Sequence, residues 1–219
     1  MRKSHTIGGV RTFLLAAIVI AVFGIAGCSK APSISAAQSP AEQAAPAGPT
    51  GEPRLGQVSG TAPSGSIVVL EPTPPREFPA PDTPVMDQVS LTFTPDMLFV
   101  RTGHAVDFRN SDDTLHNVHV GNSETKEPSF NVAIPTGAAY QYTFTKDGFY
   151  HVSCDIHPAM SAEIISVSTP FAAVAGGDGR FAFADVPPGT YVVRAIVSGV
   201  KTERTVEVAA GVNTVAGFD

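Results

Sequence analysis

The sequence predicts an all-β protein made of two β-sandwiches, and three observations lead to that prediction. From residue 54 onward, Val, Thr, Phe and Tyr alternate with polar residues, which is the two-residue period of half-buried strands. Gly, Pro, Asp and Asn interrupt the alternation at short intervals, as they do in sandwiches. The 3.6-residue period of an amphipathic helix is missing from this part of the sequence.

Residues 1–27 are predicted to be a leader peptide rather than part of the fold. Basic residues lie at positions 2, 3 and 11, and the apolar run from Leu14 to Ala26 is too short to span a bilayer. The run ends at Gly27-Cys28, and this ending resembles the lipobox of bacterial lipoproteins. The resemblance implies cleavage before Cys28 and attachment of lipid to its sulfur. An ordinary signal peptide with a cysteine near its end is the alternative.

Residues 28–53 are predicted to be a flexible tether on that lipid, because they are rich in Ala, Pro, Ser and Gln and poor in large apolar residues. The expected location is the extracytoplasmic face of a bacterial membrane, on the periplasmic side. Ser29 after the lipidated cysteine is compatible with the outer membrane.

Charge and cysteine content narrow the function. The formal net charge is −6, and removal of the leader would make it more negative. An acidic chain is a poor ligand for nucleic acid or anionic lipid, and its charge leaves room for a basic protein partner. The chain has two cysteines, and lipidation of Cys28 would leave Cys154 without a disulfide partner. In an exported protein, this favours a metal-bound thiolate.

Three blocks follow the tether. Residues 54–84 contain two short strands and a proline-rich stretch, residues 85–169 contain most of the histidines, and residues 170–219 contain about five further strands. The last block resembles the carboxypeptidase regulatory-like domain, a transthyretin-like sandwich, in Asp178-Gly179-Arg180-Phe181 and Asp185–Tyr191. Such a sandwich usually has about seven strands, so residues 54–84 are predicted to supply its first two strands. Alternatively, residues 54–71 belong to the domain of residues 85–169.

The alternation of side chains along the strands selects two inward-pointing metal-binding residues. His116 has the same parity as the apolar Val118 and Val120, and Cys154 has the same parity as Val152. His119 has the opposite parity and is expected to lie on the surface. Two strong metal-binding side chains from distant parts of the chain are therefore expected to enter one core.

Cys154 is followed by His157 and Met160, with two residues between each pair. A thiolate with two imidazoles and a weak thioether is the ligand set of blue-copper sites. Zinc would accept the cysteine and histidines but has little use for methionine. A catalytic Cys–His pair is a further possibility, although the sequence offers no oxyanion site for it.

Residues 85–169 resemble the plastocyanin/azurin family of cupredoxins, which are Greek-key β-sandwiches. The residues that carry the resemblance are Phe93, Pro95, Val100, Gly103, Val106, Phe108, Asn110 and Asp112, then His116-Asn117-Val118, and further on Gly148, Tyr150, Cys154, His157 and Met160. The short spacing between the ligands is most similar to that of amicyanin. The resemblance implies one copper ion that alternates between Cu(I) and Cu(II), with His116, Cys154 and His157 as equatorial ligands and Met160 as the axial ligand.

Three neighbouring residues are expected to tune the site. By the same resemblance, Asn117 ties the two ligand-bearing loops together. Asp155 stands where a Ser or Thr is usual and adds negative charge, which predicts a lowered reduction potential. Pro158 has no N–H and so cannot donate a hydrogen bond to the sulfur of Cys154.

The expected function is that of a membrane-anchored type 1 (blue) copper protein that passes single electrons to and from a transient redox protein partner. We expect no enzymatic activity and no small-molecule substrate, because an oxidase or nitrite reductase would need further copper ligands. A periplasmic copper carrier or storage lipoprotein is the main alternative.

Overall fold

A computed structural model describes residues 54–218 of the chain. The predicted leader, the Cys28 lipidation site and the tether therefore lie outside the described residues. The prediction of an all-β fold is confirmed, since every regular element between residues 54 and 218 is a strand. Within this range, no helix is long and apolar enough to cross a membrane.

Nine strands form the first sandwich, which is built from the middle of the chain. These strands are β3 (Val85–Val89), β4 (Thr92–Thr94), β5 (Met97–Arg101), β6 (Ala105–Asn110), β7 (His116–Asn122), β8 (Pro128–Ile134), β9 (Ala139–Thr143), β10 (Gly148–Ser153) and β11 (Ser161–Val167). One sheet has the order β5-β11-β10-β7-β8, and the other has the order β4-β3-β6-β9.

Alternating apolar residues of these strands meet between the two sheets. Val106, Phe108, Val118, Val120 and Val152 are fully buried there, as their shared parity predicts. An aromatic group that includes Phe130, Tyr142, Phe144 and Tyr150 fills part of the same core. The hydroxyl of Tyr150 donates to the carbonyl of Lys146 across 3.0 Å, and burial raises the pKa of this phenol.

Seven strands from the two ends of the described chain form the second sandwich. These strands are β1 (Gly56–Thr61), β2 (Ile67–Pro72), β12 (Ala172–Val174), β13 (Arg180–Val186), β14 (Gly189–Val197), β15 (Val200–Val208) and β16 (Asn213–Gly217). The two sheets have the orders β13-β1-β16 and β12-β2-β14-β15. Because β1 lies between β13 and β16, and β2 between β12 and β14, residues 56–72 pair with the C-terminal strands.

A separate apolar cluster joins the two sandwiches. Ile67 and Val69 of β2 pack with Ile165 and Val167 of β11, and all four side chains are buried. Phe99, Phe149, Ala172 and Ile196 extend the cluster. The side chains of Ile165 and Val167 leave β11 on the face opposite Ile164, which lies in the core of the first sandwich. The outer face of the five-stranded sheet is thus partly covered by the second sandwich.

Candidate metal centre

Strand pairing brings two of the predicted ligands to one end of the first sandwich. His116 is the first residue of β7, and Cys154 directly follows Ser153, the last residue of β10. These strands are antiparallel neighbours, with Ser153 opposite His119, so the start of β7 lies beside the end of β10. Because both ligands share the parity of buried residues, both side chains enter the core, where His116 is fully buried and Cys154 is 2% exposed.

The loop between β10 and β11 supplies a third donor. His157 lies in this loop, and its Nδ1 atom is 2.9 Å from Nδ1 of His116 and 3.8 Å from Sγ of Cys154. The Sγ atom of Cys154 is also 3.8 Å from Nδ1 of His116. Among residues 54–218, these side chains are the one group of three or more histidine, cysteine or acidic residues whose donor atoms converge within 4.8 Å.

The donor spacing fits a single small metal ion. Three donors in a plane, at about 2.0 Å for nitrogen and about 2.3 Å for sulfur from a central ion, would place sulfur about 3.7 Å from each nitrogen. The observed sulfur–nitrogen separations are 3.8 Å, and the two nitrogens are 2.9 Å apart. The nitrogens are thus closer together than the about 3.5 Å of an ideal trigonal plane, which corresponds to a narrower angle between the two imidazoles at the ion. A soft thiolate and two imidazoles favour copper or zinc rather than a hard cation. The residues present therefore fit the metal that the sequence predicts.

Met160 closes the ligand loop. The N–H of Met160 donates to the carbonyl of His157, and the N–H of Cys154 donates to the carbonyl of Met160. The Met160 side chain is 1% exposed and belongs to the same core cluster as Cys154. The loop thus returns the methionine to the core next to the strand that carries the thiolate.

Asn117 links the two ligand-bearing segments through hydrogen bonds. Its Oδ1 atom accepts the backbone N–H of Asp155 at 2.7 Å and lies 3.3 Å from Sγ of Cys154. Its Nδ2 atom donates to Oδ2 of Asp155 at 3.1 Å and to Oδ1 of Asn131 at 2.7 Å. One buried amide therefore fixes the residues on both sides of the Cys154–Asp155 peptide.

Asp112 fixes the orientation of the His116 ring. Nε2 of His116 lies 2.8 Å from Oδ2 of Asp112, so Nε2–H donates to the carboxylate and Nδ1 keeps its lone pair for the donor cluster. The backbone N–H of Leu91 and the partners His116 and Ser90 hold the pKa of Asp112 below its usual range, despite partial burial. The carboxylate is therefore available to the imidazole.

A tight turn holds the carboxylate of Asp112 in position. Ser90 and Leu91 join β3 to β4 as a two-residue hairpin loop, and both have positive φ angles, of 55° and 57°. Their backbone N–H groups point at Asp112, at 2.5 and 2.9 Å. Sequence reasoning missed this role of Asp112, since nothing in a linear pattern indicates that the β3–β4 turn meets the loop before β7.

Asp155 faces away from the donors, toward the outer face of the sheet. Its carboxylate accepts hydrogen bonds from Nδ1 of His119 at 3.0 Å and from Nδ2 of Asn131 at 2.7 Å. His119, followed by Asn131, holds the pKa of Asp155 below its usual range. Asn131 was not identified from the sequence, because its position opposite His119 depends on the β7–β8 register.

The surface near His157 is partly apolar. His157 is half-buried, whereas Pro158 and Ala159 beside it are exposed. Ile156 and Leu115, which neighbour His157 and His116 in sequence, are each 46% exposed. Half-buried His157 thus brings the donor cluster close to the protein surface at the 154–160 loop.

Residues 85–167 thus form a nine-stranded sandwich with a Cys-His-His cluster at one end. Residues 82–167 match the model of the family described as copper binding proteins, plastocyanin/azurin family. The prediction of a cupredoxin in this segment is thereby confirmed, and its cofactor is one copper ion. Such domains are of the electron-carrier type.

Several solved structures of copper proteins are similar to part of this chain. A reduced amicyanin mutant is 25% identical, with a TM-score of 0.36, over 39% of this chain and 83% of that one. Amicyanin from Paracoccus versutus is 23% identical, with a TM-score of 0.36, over 41% and 85%. A copper-containing nitrite reductase from Thermus scotoductus is 30% identical, with a TM-score of 0.37, over 42% of this chain but 24% of that one. Because these TM-scores are below 0.5, the assignment rests on the family match. No curated protein matches the chain.

Proposed function

We propose that this protein is a membrane-anchored type 1 copper protein that carries single electrons between redox partners outside the cytoplasm. The convergence of the Cys154 thiol with the Nδ1 atoms of His116 and His157 is the observation that carries this proposal. In this proposal His116, Cys154 and His157 would hold the copper ion, and the Met160 thioether would be a further, weak ligand. The copper ion would supply the Cu(I)/Cu(II) couple, and the protein residues would hold the ion and orient its ligands.

The protein contributes rigidity to this couple. His116 is held by Asp112, and the Cys154 segment is held by Asn117. Both tethers consist of buried or half-buried side chains on adjoining strands and loops. Ligands that are fixed before the metal binds move little when its charge changes, and a small reorganisation favours rapid electron transfer.

The surface near His157 supports docking with a redox partner. Exposed apolar residues beside the ligand, including Ile156 and Pro158, offer an apolar surface that a partner can cover. Transient redox complexes use small interfaces of this kind. Electrons would then enter and leave through the His157 imidazole, which is the most exposed of the three clustered donors.

The anchor is proposed from the sequence. Lipid on Cys28 and the tether of residues 28–53 would keep the domain near a membrane and raise the effective concentration of membrane-bound partners. Radiolabelled palmitate incorporated by the host cell and lost in Cys28→Ala would support this anchor. A protein that is released from the cells with or without Cys28 would contradict it.

Visible spectroscopy of the purified protein tests the copper function. Addition of Cu(II) is expected to give an intense absorption band at about 600 nm that disappears on reduction, because thiolate-to-copper charge transfer produces it. The Cys154→Ser variant is expected to remain colourless, whereas His104→Ala retains the band. A colourless protein that holds Cu(I) tightly would instead identify a copper carrier or storage protein. Tight zinc binding without colour would contradict both functions.

A further inference from the structure

Two histidines lie on the outer face of the five-stranded sheet, outside the donor cluster described above. His119 on β7 and His151 on β10 have side chains that are 43% and 53% exposed. Both point away from the core because their parity is opposite to that of Val118 and Val152. The electron-carrier function proposed above uses neither side chain.

The strand register makes these histidines diagonal neighbours on the paired strands β7 and β10. His151 lies opposite Gly121, and His119 lies opposite Ser153. Diagonal neighbours on paired strands are about 7–8 Å apart, with their side chains somewhat closer, which is within reach of long or aromatic side chains. The other two residues of this pairing, Gly121 and Ser153, are small, and both histidines line a shallow hollow of about 460 Å³ together with them and with Asn122, Ser123, Lys126 and Glu163.

Each imidazole is oriented by a carboxylate. Nδ1 of His119 lies 3.0 Å from Oδ1 of Asp155, and Nδ1 of His151 lies 3.1 Å from Oε1 of Glu163. In the neutral ring, Nδ1–H donates to the carboxylate, so Nε2 carries the free lone pair. This carboxylate–histidine arrangement is the one that metal-binding histidines usually show.

The local charge favours a cation. Asp155 and Glu163 contribute two negative charges, and both lie within hydrogen-bond distance of the histidines. Lys126 also lines the hollow, but its ammonium group donates to the carbonyl of Ser123 at 2.7 Å. Two imidazoles in an environment of net negative charge favour a divalent metal ion that binds nitrogen ligands, such as Cu²⁺ or Zn²⁺.

We propose that His119 and His151 form a second, solvent-open binding site for one divalent transition-metal ion, with Nε2 of each ring as a ligand. Water completes the coordination of this ion. The site does not depend on the proposed electron-carrier function, because it shares no ligand with the Cys154 cluster. With two protein ligands it is expected to exchange its metal readily.

Metal stoichiometry tests the second site. The purified full-length protein, without a polyhistidine tag, is equilibrated with Cu²⁺ by dialysis and compared with His119→Ala, His151→Ala and His104→Ala. His104 is a matched control, since it lies in the turn between β5 and β6, away from the hollow. The wild type and His104→Ala are expected to bind one more equivalent than His119→Ala and His151→Ala. Electron paramagnetic resonance of that equivalent should show splitting from two nitrogens.

The comparison of the four proteins remains informative whichever metal binds at the Cys154 cluster. If Cys154 does not form a blue-copper centre, the difference of one equivalent between the wild type and His151→Ala still measures the second site. Circular dichroism checks that each variant is folded, and these surface substitutions are expected to preserve the fold. Equal stoichiometry in all four proteins would overturn the second site, as would a loss of the same equivalent in His104→Ala.

Discussion

The carboxylate of Asp112 holds the ring of His116 through a hydrogen bond of 2.8 Å to Nε2, and two backbone amides of the Ser90–Leu91 turn hold the carboxylate in place. A ligand of the metal cluster is thus supported from the β3–β4 hairpin, which belongs to the opposite sheet. Such supporting contacts fix the ring orientation and raise the basicity of the ligand.

Replacement of Asp112 by Asn is expected to raise the reduction potential of the copper centre. Loss of the negative charge makes the His116 imidazole a weaker donor, which destabilises Cu(II) more than Cu(I). The expected rise is on the order of 60 mV, which corresponds to a tenfold change in the equilibrium of a one-electron couple. Protein-film or solution voltammetry measures it. Asp113→Asn is the control, since it removes the same charge from the adjacent, exposed position. Equal shifts in both variants would show that the contact with His116 has no special role.

Replacement of Asn117 by Ala is expected to destabilise the metal-free protein and weaken copper binding. The change removes the acceptor of the Asp155 N–H and the two hydrogen bonds that Nδ2 of Asn117 donates. The Asn117 residue is only 6% exposed. A buried group left without its partner costs about 1–3 kcal/mol. Urea unfolding and a competition titration with a copper chelator measure the two effects. Asn213→Ala, at an exposed position of the second sandwich, should stay within about 0.5 kcal/mol of the wild type. A similar loss in both variants would argue against the bridging role of Asn117.

Replacement of Ile165 by Ala is expected to weaken the contact between the two sandwiches. Ile165 is 2% exposed and packs in the cluster formed with β2. Truncation of such a residue typically costs about 2–5 kcal/mol. The copper spectrum should be unchanged, because the side chain leaves β11 on the face opposite the core that contains Cys154. Chemical unfolding and visible absorption provide the two measurements.

Val200→Ala serves as the control for Ile165→Ala, since Val200 is 62% exposed. It is expected to leave stability within about 0.5 kcal/mol. An altered copper spectrum in Ile165→Ala would show that the interface between the sandwiches transmits strain to the metal centre, contrary to the prediction.

Replacement of Tyr150 by Phe is expected to remove part of the alkaline loss of stability. Burial raises the pKa of the folded phenol above the unfolded value of about 10. The folded state thus keeps its proton where the unfolded chain loses it, so the stability contribution is complete below pH 10 and is lost as the pH rises through the folded pKa. Urea midpoints at pH 8 and above pH 10 measure the effect. At pH 8 the variant should lose about 1 kcal/mol with the bond to Lys146.

Tyr140→Phe is the control for that pH profile, since among the described residues its hydroxyl has no hydrogen-bond partner. It should follow the wild-type profile. A steeper alkaline loss in Tyr150→Phe than in the wild type would be opposite to the expected sign.

The sequence by itself determined the strand parity that places His116 and Cys154 inside and His119 outside. It also determined the close group of Cys154, His157 and Met160. Both depend on short-range spacing, and side-chain direction along a strand follows from local geometry alone. Tertiary structure decided the contacts that support these ligands. Asp112 meets the Ser90–Leu91 turn, and Asn131 meets Asp155, only because strands distant in sequence pair in one register. For residues 56–72 the sequence left two placements open, and the pairing of β1 and β2 with the C-terminal strands decided between them.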